Sequence, residues 1–310
     1  MSEATEQLEF ALHEDRHPCG LYTITDSIKI LFRNPKLFIS ISILTIFPFS
    51  LHIFSLSLYS HPLKAQIYHL EAIAGLSPTR FEAREIWKQI RVDTASLLCI
   101  KALFWIPCYG LSLFAMITSV NSTALACAGK RPNLQTAVSA VRVTWKSAFV
   151  TSICVFVIMV IYVHLMRTVT TLVGWSVHAQ WLMVVLGAVL EVELMAVLSF
   201  AMVVSVLEER FGWEAIRVGW ELMEGRRFCG WLLAGFLVLI SRGVGWGFRV
   251  SLDGQDETMM VVMMGLVDKM GLICLFGMIV LWSYVVYTVF YCDCRATRHA
   301  NKVDSESSRV

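Results

Sequence analysis

The chain has 310 residues and a formal net charge of +2, with 56% hydrophobic and only 16% charged residues. A soluble domain carries roughly 25% charged residues, so this balance excludes an ordinary soluble enzyme or binding module. Its apolar residues also occur in runs long enough to cross a bilayer, which takes about 20 residues of helix. The composition therefore predicts an all-α integral membrane protein, built as a six-helix bundle.

Six apolar segments fit membrane-spanning helices, whose backbone hydrogen bonds close internally as the hydrocarbon requires. We predict spans at about 37–59, 96–119, 148–166, 181–206, 230–248 and 270–291. They lie in a membrane domain of residues 24–295, between polar tails at 1–23 and 296–310. The acidic start lacks the basic region and apolar core of a signal peptide, so the first span is expected to remain as an anchor.

Lysine and arginine are distributed unequally between the two sides of these spans. The tails, the second connection and the fourth carry four each, sixteen in all, against eight in the other three connections. The positive-inside rule then places both termini in the cytoplasm. The three outer connections contain no cysteine, which agrees with this orientation. The pattern leaves open whether the membrane is the endoplasmic reticulum or the plasma membrane, and no motif indicates a nucleic-acid partner.

Three amphipathic stretches, each with basic residues at its end, precede the spans that run outward. Their apolar faces are Ile24, Ile28, Leu31 and Phe32; Leu134, Val138, Val141 and Trp145; and Trp213, Ile216, Trp220 and Met223. Such stripes are typical of helices in the membrane interface. They predict three repeated units of interfacial helix plus two spans, at 24–129, 130–212 and 213–295. The alternative is that these are the ordinary basic flanks of any six-span protein.

The first unit is longer because of an inserted outer loop at 60–96. Ser77-Pro78 can start a helix there, and charged and apolar residues alternate at helical spacing over 81–91. We expect a helix that lies on the outer membrane surface or over the mouth of the bundle. A solvated helix with no special role is the alternative.

Two segments carry a resemblance to known families. Residues 205–216 (SVLEERFGWEAI) and 220–227 (WELMEGRR) resemble the membrane domain attached to some bacterial glycerophosphodiester phosphodiesterases. Residues 30–38 (ILFRNPKLF) and 129–132 (GKRP) are similar to a plant family of uncharacterised six-span proteins. The resemblance implies a membrane fold and brings no established activity. The phosphodiesterase barrel itself would need about 250 residues, for which the chain has no room.

Motifs of catalysis and metal binding are weak. The segment His13-Glu14-Asp15-Arg16-His17 matches H-E-x-x-H, but Pro18 follows it in a polar tail with no surrounding core, so we interpret it as a chance match. There is no P-loop, G-x-S-x-G or G-x-G-x-x-G. We therefore predict a protein that is not an enzyme and holds no metal or cofactor. Cys292 and Cys294, just past the last span, are either acylated or plain thiols.

Ionisable residues inside the spans are the most informative ones, because a charge at mid-bilayer costs roughly 2.5–3.5 kcal/mol on insertion scales. They are His52, Lys101, His164, Glu191, Glu193 and Arg242. By span position all lie near the midplane or in the outer half. This bias predicts a polar pocket that opens outward, with purely structural pairing as the alternative.

Within this set, Glu191 and Glu193 point about 200° apart on a helix, so they cannot do the same job. Arg242 lies at nearly the depth of Glu191 on the next, antiparallel span. We therefore predict that these two residues pair, with Lys101 as the alternative cation.

The sequence favours a non-enzymatic membrane organiser or adaptor, surrounded by membrane lipid and with protein partners on its cytoplasmic face. The alternative is a carrier or channel for a small solute or lipid that uses the outward pocket. Pro48 and Pro107, midway along the first two spans, slightly favour that alternative because they permit kinks. An intramembrane enzyme comes third, since nothing pairs a nucleophile with a base.

Overall fold

The computed structural model describes residues 20–76, 79–172, 177–253 and 259–307, and these form eight α-helices with no strand among them. In chain order they are α1 (Gly20–Arg33), α2 (Pro35–Leu76), α3 (Arg80–Cys127), α4 (Leu134–Leu172), α5 (Val177–Leu207), α6 (Trp213–Met223), α7 (Arg227–Asp253) and α8 (Met259–Ser307). The all-α fold class is confirmed.

Six of these helices are long and apolar enough to cross a membrane. The segments are Pro35–Ile53, Phe81–Cys127, Leu134–Leu172, His178–Leu207, Arg227–Gly247 and Met270–Arg298. Each overlaps one of the predicted spans. The chain is thus a multi-pass integral membrane protein.

Helix breaks occur where the sequence disfavours continuation. Pro35 begins α2, at a helix position where its missing N–H costs nothing. Gly212 (φ 62°) precedes α6 and Gly225 (φ 100°) follows it, in a backbone region that residues with a Cβ avoid. These breaks separate α1 and α6 from the spans that follow them.

The second amphipathic stretch behaves differently from the prediction. Residues 134–146 continue into the span as the single helix α4, so they do not form a separate interfacial helix. The reason is local, because no proline or glycine interrupts the helix there. The C-terminal tail differs too, since α8 continues helically through Ser307.

The outer connection predicted at 60–96 is mostly helical. Helix α2 runs on to Leu76 and α3 starts at Arg80, so the helix expected over 81–91 is the first part of α3. The predicted start at Ser77-Pro78 lies outside the described residues. Pro48 and Pro62 lie inside α2 and Pro107 inside α3, within continuous helices.

The chain divides into two compact units. The first comprises Met1–Ser40, Met116–Arg242 and Val280–Val310, and the second Ile41–Ala115 and Gly243–Ile279. Each has its own packing.

The core of the first unit is aromatic. Phe200 on α5 has no exposed surface and makes an edge-to-face contact with Phe290 on α8, with ring centroids 5.2 Å apart. Tyr287 and Tyr291 flank it, each with its centroid 6.5 Å away. Such contacts between rings stabilise the fold in addition to the burial of the apolar surface.

Helix α6 packs closely on α5 through small residues. A Cβ at Gly219 would lie only 3.2 Å from the backbone nitrogen of Ala201. The buried side of α6 carries Ala215, Ile216, Gly219, Leu222 and Met223. Ile216 and Met223 of the predicted apolar face therefore pack on the bundle, whereas the side chains of Trp213 and Trp220 are 73% and 41% exposed.

In the second unit, the C-terminal part of α2 and the N-terminal part of α3 form an antiparallel hairpin. Its buried residues are Ile67, Ile90 and Leu97, with Leu63, Leu70, Ala74 and Ile86 packed against them. On α2 these residues recur at intervals of four, three and four, and on α3 at intervals of four and seven, which is the spacing of a coiled-coil seam with one position left out. Asp93 occupies the position between Ile90 and Leu97, and its Oδ2 is buried without a hydrogen-bond partner among the described residues.

Candidate functional site

The six ionisable residues of the predicted pocket are divided between the two units. His52 and Lys101 lie in the second unit, and His164, Glu191, Glu193 and Arg242 lie in the first. Each group is therefore described within its own unit.

Arg242 on α7 and Glu191 on α5 form an ion pair, in which Arg242 Nη2 donates to Glu191 Oε2. The predicted contact is thus present. The Glu191 side chain is 18% exposed and that of Arg242 is 61% exposed. The pair joins two antiparallel spans and cancels two charges that would each be costly in hydrocarbon.

A third helix also lies close to this pair. Tyr162 on α4 is near enough for the charges of Glu191 and Arg242 to act on it. Its hydroxyl donates to the carbonyl oxygen of Gly187, 2.7 Å away and one turn before Glu191 on α5. Polar contacts therefore join α4 to α5 and α5 to α7 at this depth.

The other two residues of the predicted pocket in the first unit, Glu193 and His164, are not part of this ion pair. Glu193 is half-buried and has no ion pair within the described part of the chain. His164 is exposed on the surface of α4. Of the predicted pocket residues in this unit, only Glu191 and Arg242 meet each other.

The second unit places its two residues in different settings. Lys101 is exposed on α3, where its long chain can reach the interface. His52 on α2 is half-buried, with its ring centroid 4.8 Å from that of Phe104. Its Nε2 is buried and has no hydrogen-bond partner among the described residues.

The cysteine and metal motifs gain no support. Cys294 is buried, so its thiol is inaccessible to an acylating enzyme in this fold, whereas Cys292 is half-buried. Within the described ranges no group of three or more His, Cys, Asp or Glu side chains could hold a metal ion. The segment 13–17 lies outside those ranges.

A site that the sequence analysis missed lies where α5 ends. Helix α4 fixes this turn, because Ser147 Oγ donates to the Ser205 carbonyl oxygen (2.9 Å) and Thr151 Oγ1 accepts from Gly212 N–H (3.0 Å). Glu209 has a φ of 54°, so the chain turns sharply just after Glu208. Glu208 is thereby held at the end of the span.

The carboxylate of Glu208 is bound from α8. Tyr291 Oη donates to Glu208 Oε1 at 2.5 Å and accepts from Arg295 Nη1 at 3.1 Å. Arg295 Nη1 is itself 3.9 Å from Glu208 Oε1, and Arg210 Nε is 3.8 Å from Oε2. One carboxylate thus joins the end of α5 to the side of α8, through Glu208 and Tyr291, which are 83 residues apart in sequence.

Around this network lies a cleft of about 300 Å³, which we call the junction cleft. The cleft is lined by Glu208, Arg210, Arg295 and Arg298, and by Val218, Glu221 and Leu222 of α6. The signal in the sequence that could have indicated this site is the spacing of four residues between Tyr291 and Arg295, at the end of the last span. Its acidic partner could not be found without the fold.

The whole chain was compared with known proteins. A family model described as "Domain of unknown function (DUF8558)" matches residues 14–308. The chain belongs to the DUF8558 family. No curated protein and no solved structure matches it. The family description gives no activity, and both the plant likeness and the phosphodiesterase likeness stay predictions.

Proposed function

We propose that the protein is a non-enzymatic membrane organiser or adaptor, whose intramembrane charges serve its fold. The Glu191–Arg242 pair supports this, since a charge that is bound by another helix is not available to a passing solute. The exposure of Lys101 and His164 on helix surfaces supports it further, because neither faces the interior of its own unit.

The observation that carries the proposal is the hairpin of α2 and α3. At 1.5 Å per residue, the 42 residues of α2 and the 48 of α3 extend for about 63 and 72 Å. The hydrocarbon core is about 30 Å thick, and ordinary tilt absorbs little of the difference. The hairpin therefore reaches beyond the membrane as a rigid element, which suits it for binding a partner.

One stripe on the exposed side of α3 is basic. Arg84, Lys88 and Arg91 are exposed at i, i+4, i+7 positions, on the side of α3 opposite its buried seam. None of them forms an ion pair within the described part of the chain. Like charges at this spacing weaken a helix, so we propose that they are matched by an acidic surface on a partner protein.

The orientation of the chain is part of the proposal. Sixteen basic residues on one side against eight on the other support cytoplasmic termini and a hairpin on the opposite side. We expect tags at both termini to be protected from protease in sealed outside-out vesicles. Digestion of one tag alone would mean an odd number of crossings.

The hairpin is tested by reversing its charge. In the triple variant Arg84→Glu, Lys88→Glu, Arg91→Glu, we expect partner occupancy to fall at least about 10-fold, because three opposing charges become repulsive. The measurement is the mass of the complex released by mild detergent from native membranes, against the 35.0 kDa of the chain alone, at low and high salt.

The matched control is Lys130→Glu, Arg131→Glu, Arg142→Glu, which makes the same change of charge outside α2 and α3. It should leave the complex intact, whereas high salt should dissociate it. A chain that is released alone at every salt concentration would contradict the proposal. So would equal loss in the control variant.

The carrier alternative rests on one observation of its own. His52 Nε2 is buried without a partner in the second unit, and polar atoms in that state are uncommon. Such an atom is suited to bind a polar solute. With Glu191 paired, Glu193 is the carboxylate that remains for such a solute, since it has no ion pair within the described part of the chain.

A further inference from the structure

We propose that the junction cleft binds a phosphate group that is attached to an organic headgroup. This goes beyond the organiser function and does not rest on it. Arg210, Arg295 and Arg298 reach the cleft from the end of α5 and from α8. Arginine suits phosphate, since the guanidinium group presents a planar set of donors that matches the phosphate oxygens.

One positive charge in the cleft is not matched by an acidic side chain among the described residues. Glu221 is bound by Arg217 at 3.1 Å and Glu214 by Arg210 at 2.5 Å. Glu208 accepts from Tyr291 and lies between Arg210 and Arg295. Arg298 has no ion pair among the described residues. The acidic side chains are therefore balanced inside the protein, and Arg298 is available to an external anion.

The shape of the cleft favours a phosphate ester over a bare ion. Val218 and Leu222 also line the cleft, and a free phosphate ion would not use these apolar side chains. A volume of about 300 Å³ is at the lower end of the range for small-molecule sites. A phosphate with a short organic part would fill both the polar and the apolar side.

The surroundings place the cleft at the level of lipid headgroups. The neighbouring residues Phe211, Trp213 and Trp220 are exposed, and Trp220 stacks with Arg227 at 4.6 Å. Exposed tryptophans gather where a membrane meets water. The phosphate group then comes either from a phospholipid in the leaflet or from a soluble phosphate ester.

The test uses the purified full chain in neutral detergent with two probes that share one headgroup. Retention of phosphatidic acid is measured by native mass spectrometry, and binding of glycerol 3-phosphate by calorimetry. We expect Arg298→Gln to raise Kd at least about 10-fold for whichever probe binds, because it removes a charge-assisted hydrogen bond. Val218→Phe should weaken binding similarly, since it fills the cleft without changing its charge.

The control is Arg142→Gln, which removes one exposed arginine from α4, outside the cleft. It should leave Kd unchanged. Binding of phosphatidic acid alone would identify a lipid site, and binding of both probes a site for soluble esters as well. The proposal is overturned if neither probe binds, if Arg298→Gln and Val218→Phe bind like wild type, or if Arg142→Gln loses as much affinity.

Discussion

Replacing Phe200 with alanine should lower the free energy of unfolding by about 3–5 kcal/mol, the range for large buried aromatic residues. Its ring is fully buried and in contact with Phe290, between Tyr287 and Tyr291. These neighbours belong to one continuous helix, which cannot easily move to fill the space. We expect this to be the largest effect of any single truncation discussed here.

The measurement is the unfolding midpoint of the purified chain in detergent, followed by intrinsic fluorescence. Phe228→Ala is the matched control, because this phenylalanine is 78% exposed at the start of α7. It should change stability by no more than about 0.5 kcal/mol. If both variants unfold at the same point, the aromatic cluster is not the core of the first unit.

The helical class and the six crossings could be predicted because both follow from composition and run length. The Glu191–Arg242 contact could also be predicted, since consecutive antiparallel spans bring equal depths together. In these cases the determining information is local, or needs only the connection between two neighbouring helices.

The hairpin was missed because hydropathy falls where a helix leaves the membrane. Residues 60–96 are too polar for a span, so the first span was predicted to end at about residue 59. Yet α2 continues, because Leu63, Ile67, Leu70 and Ala74 pack along α3. The seam is formed by residues of both helices, so the sequence of either helix alone does not show what its apolar residues pack against.

The orientation of α6 and the junction cleft depend on contacts that are distant in sequence. The prediction chose the face with two tryptophans, but Gly219 allows α6 to approach α5 on its small-residue face. Close approach of backbones, rather than side-chain size, decides such packing in membranes. Likewise, Glu208 can be recognised as part of a site only once the fold has placed Tyr291 beside it.

The second large effect concerns the ion pair, on which the proposed function depends. Arg242→Leu should destabilise the chain by about 1–2 kcal/mol, because Glu191 is left without its partner in the membrane. Glu191→Gln should cost a similar amount, as it leaves Arg242 unpaired. The double variant should be more stable than the sum of the two single changes implies, since neither charge remains without a partner.

A double-mutant cycle on the detergent unfolding midpoint therefore tests most directly whether these charges serve the fold. Lys101→Leu with Glu191→Gln is the control cycle, as Lys101 is the other cation considered for this carboxylate. We predict a coupling of about 1 kcal/mol or more for Arg242 and none for Lys101. Strict additivity of Arg242→Leu and Glu191→Gln would contradict the account, because two uncoupled charges in the spans would be free to serve a solute.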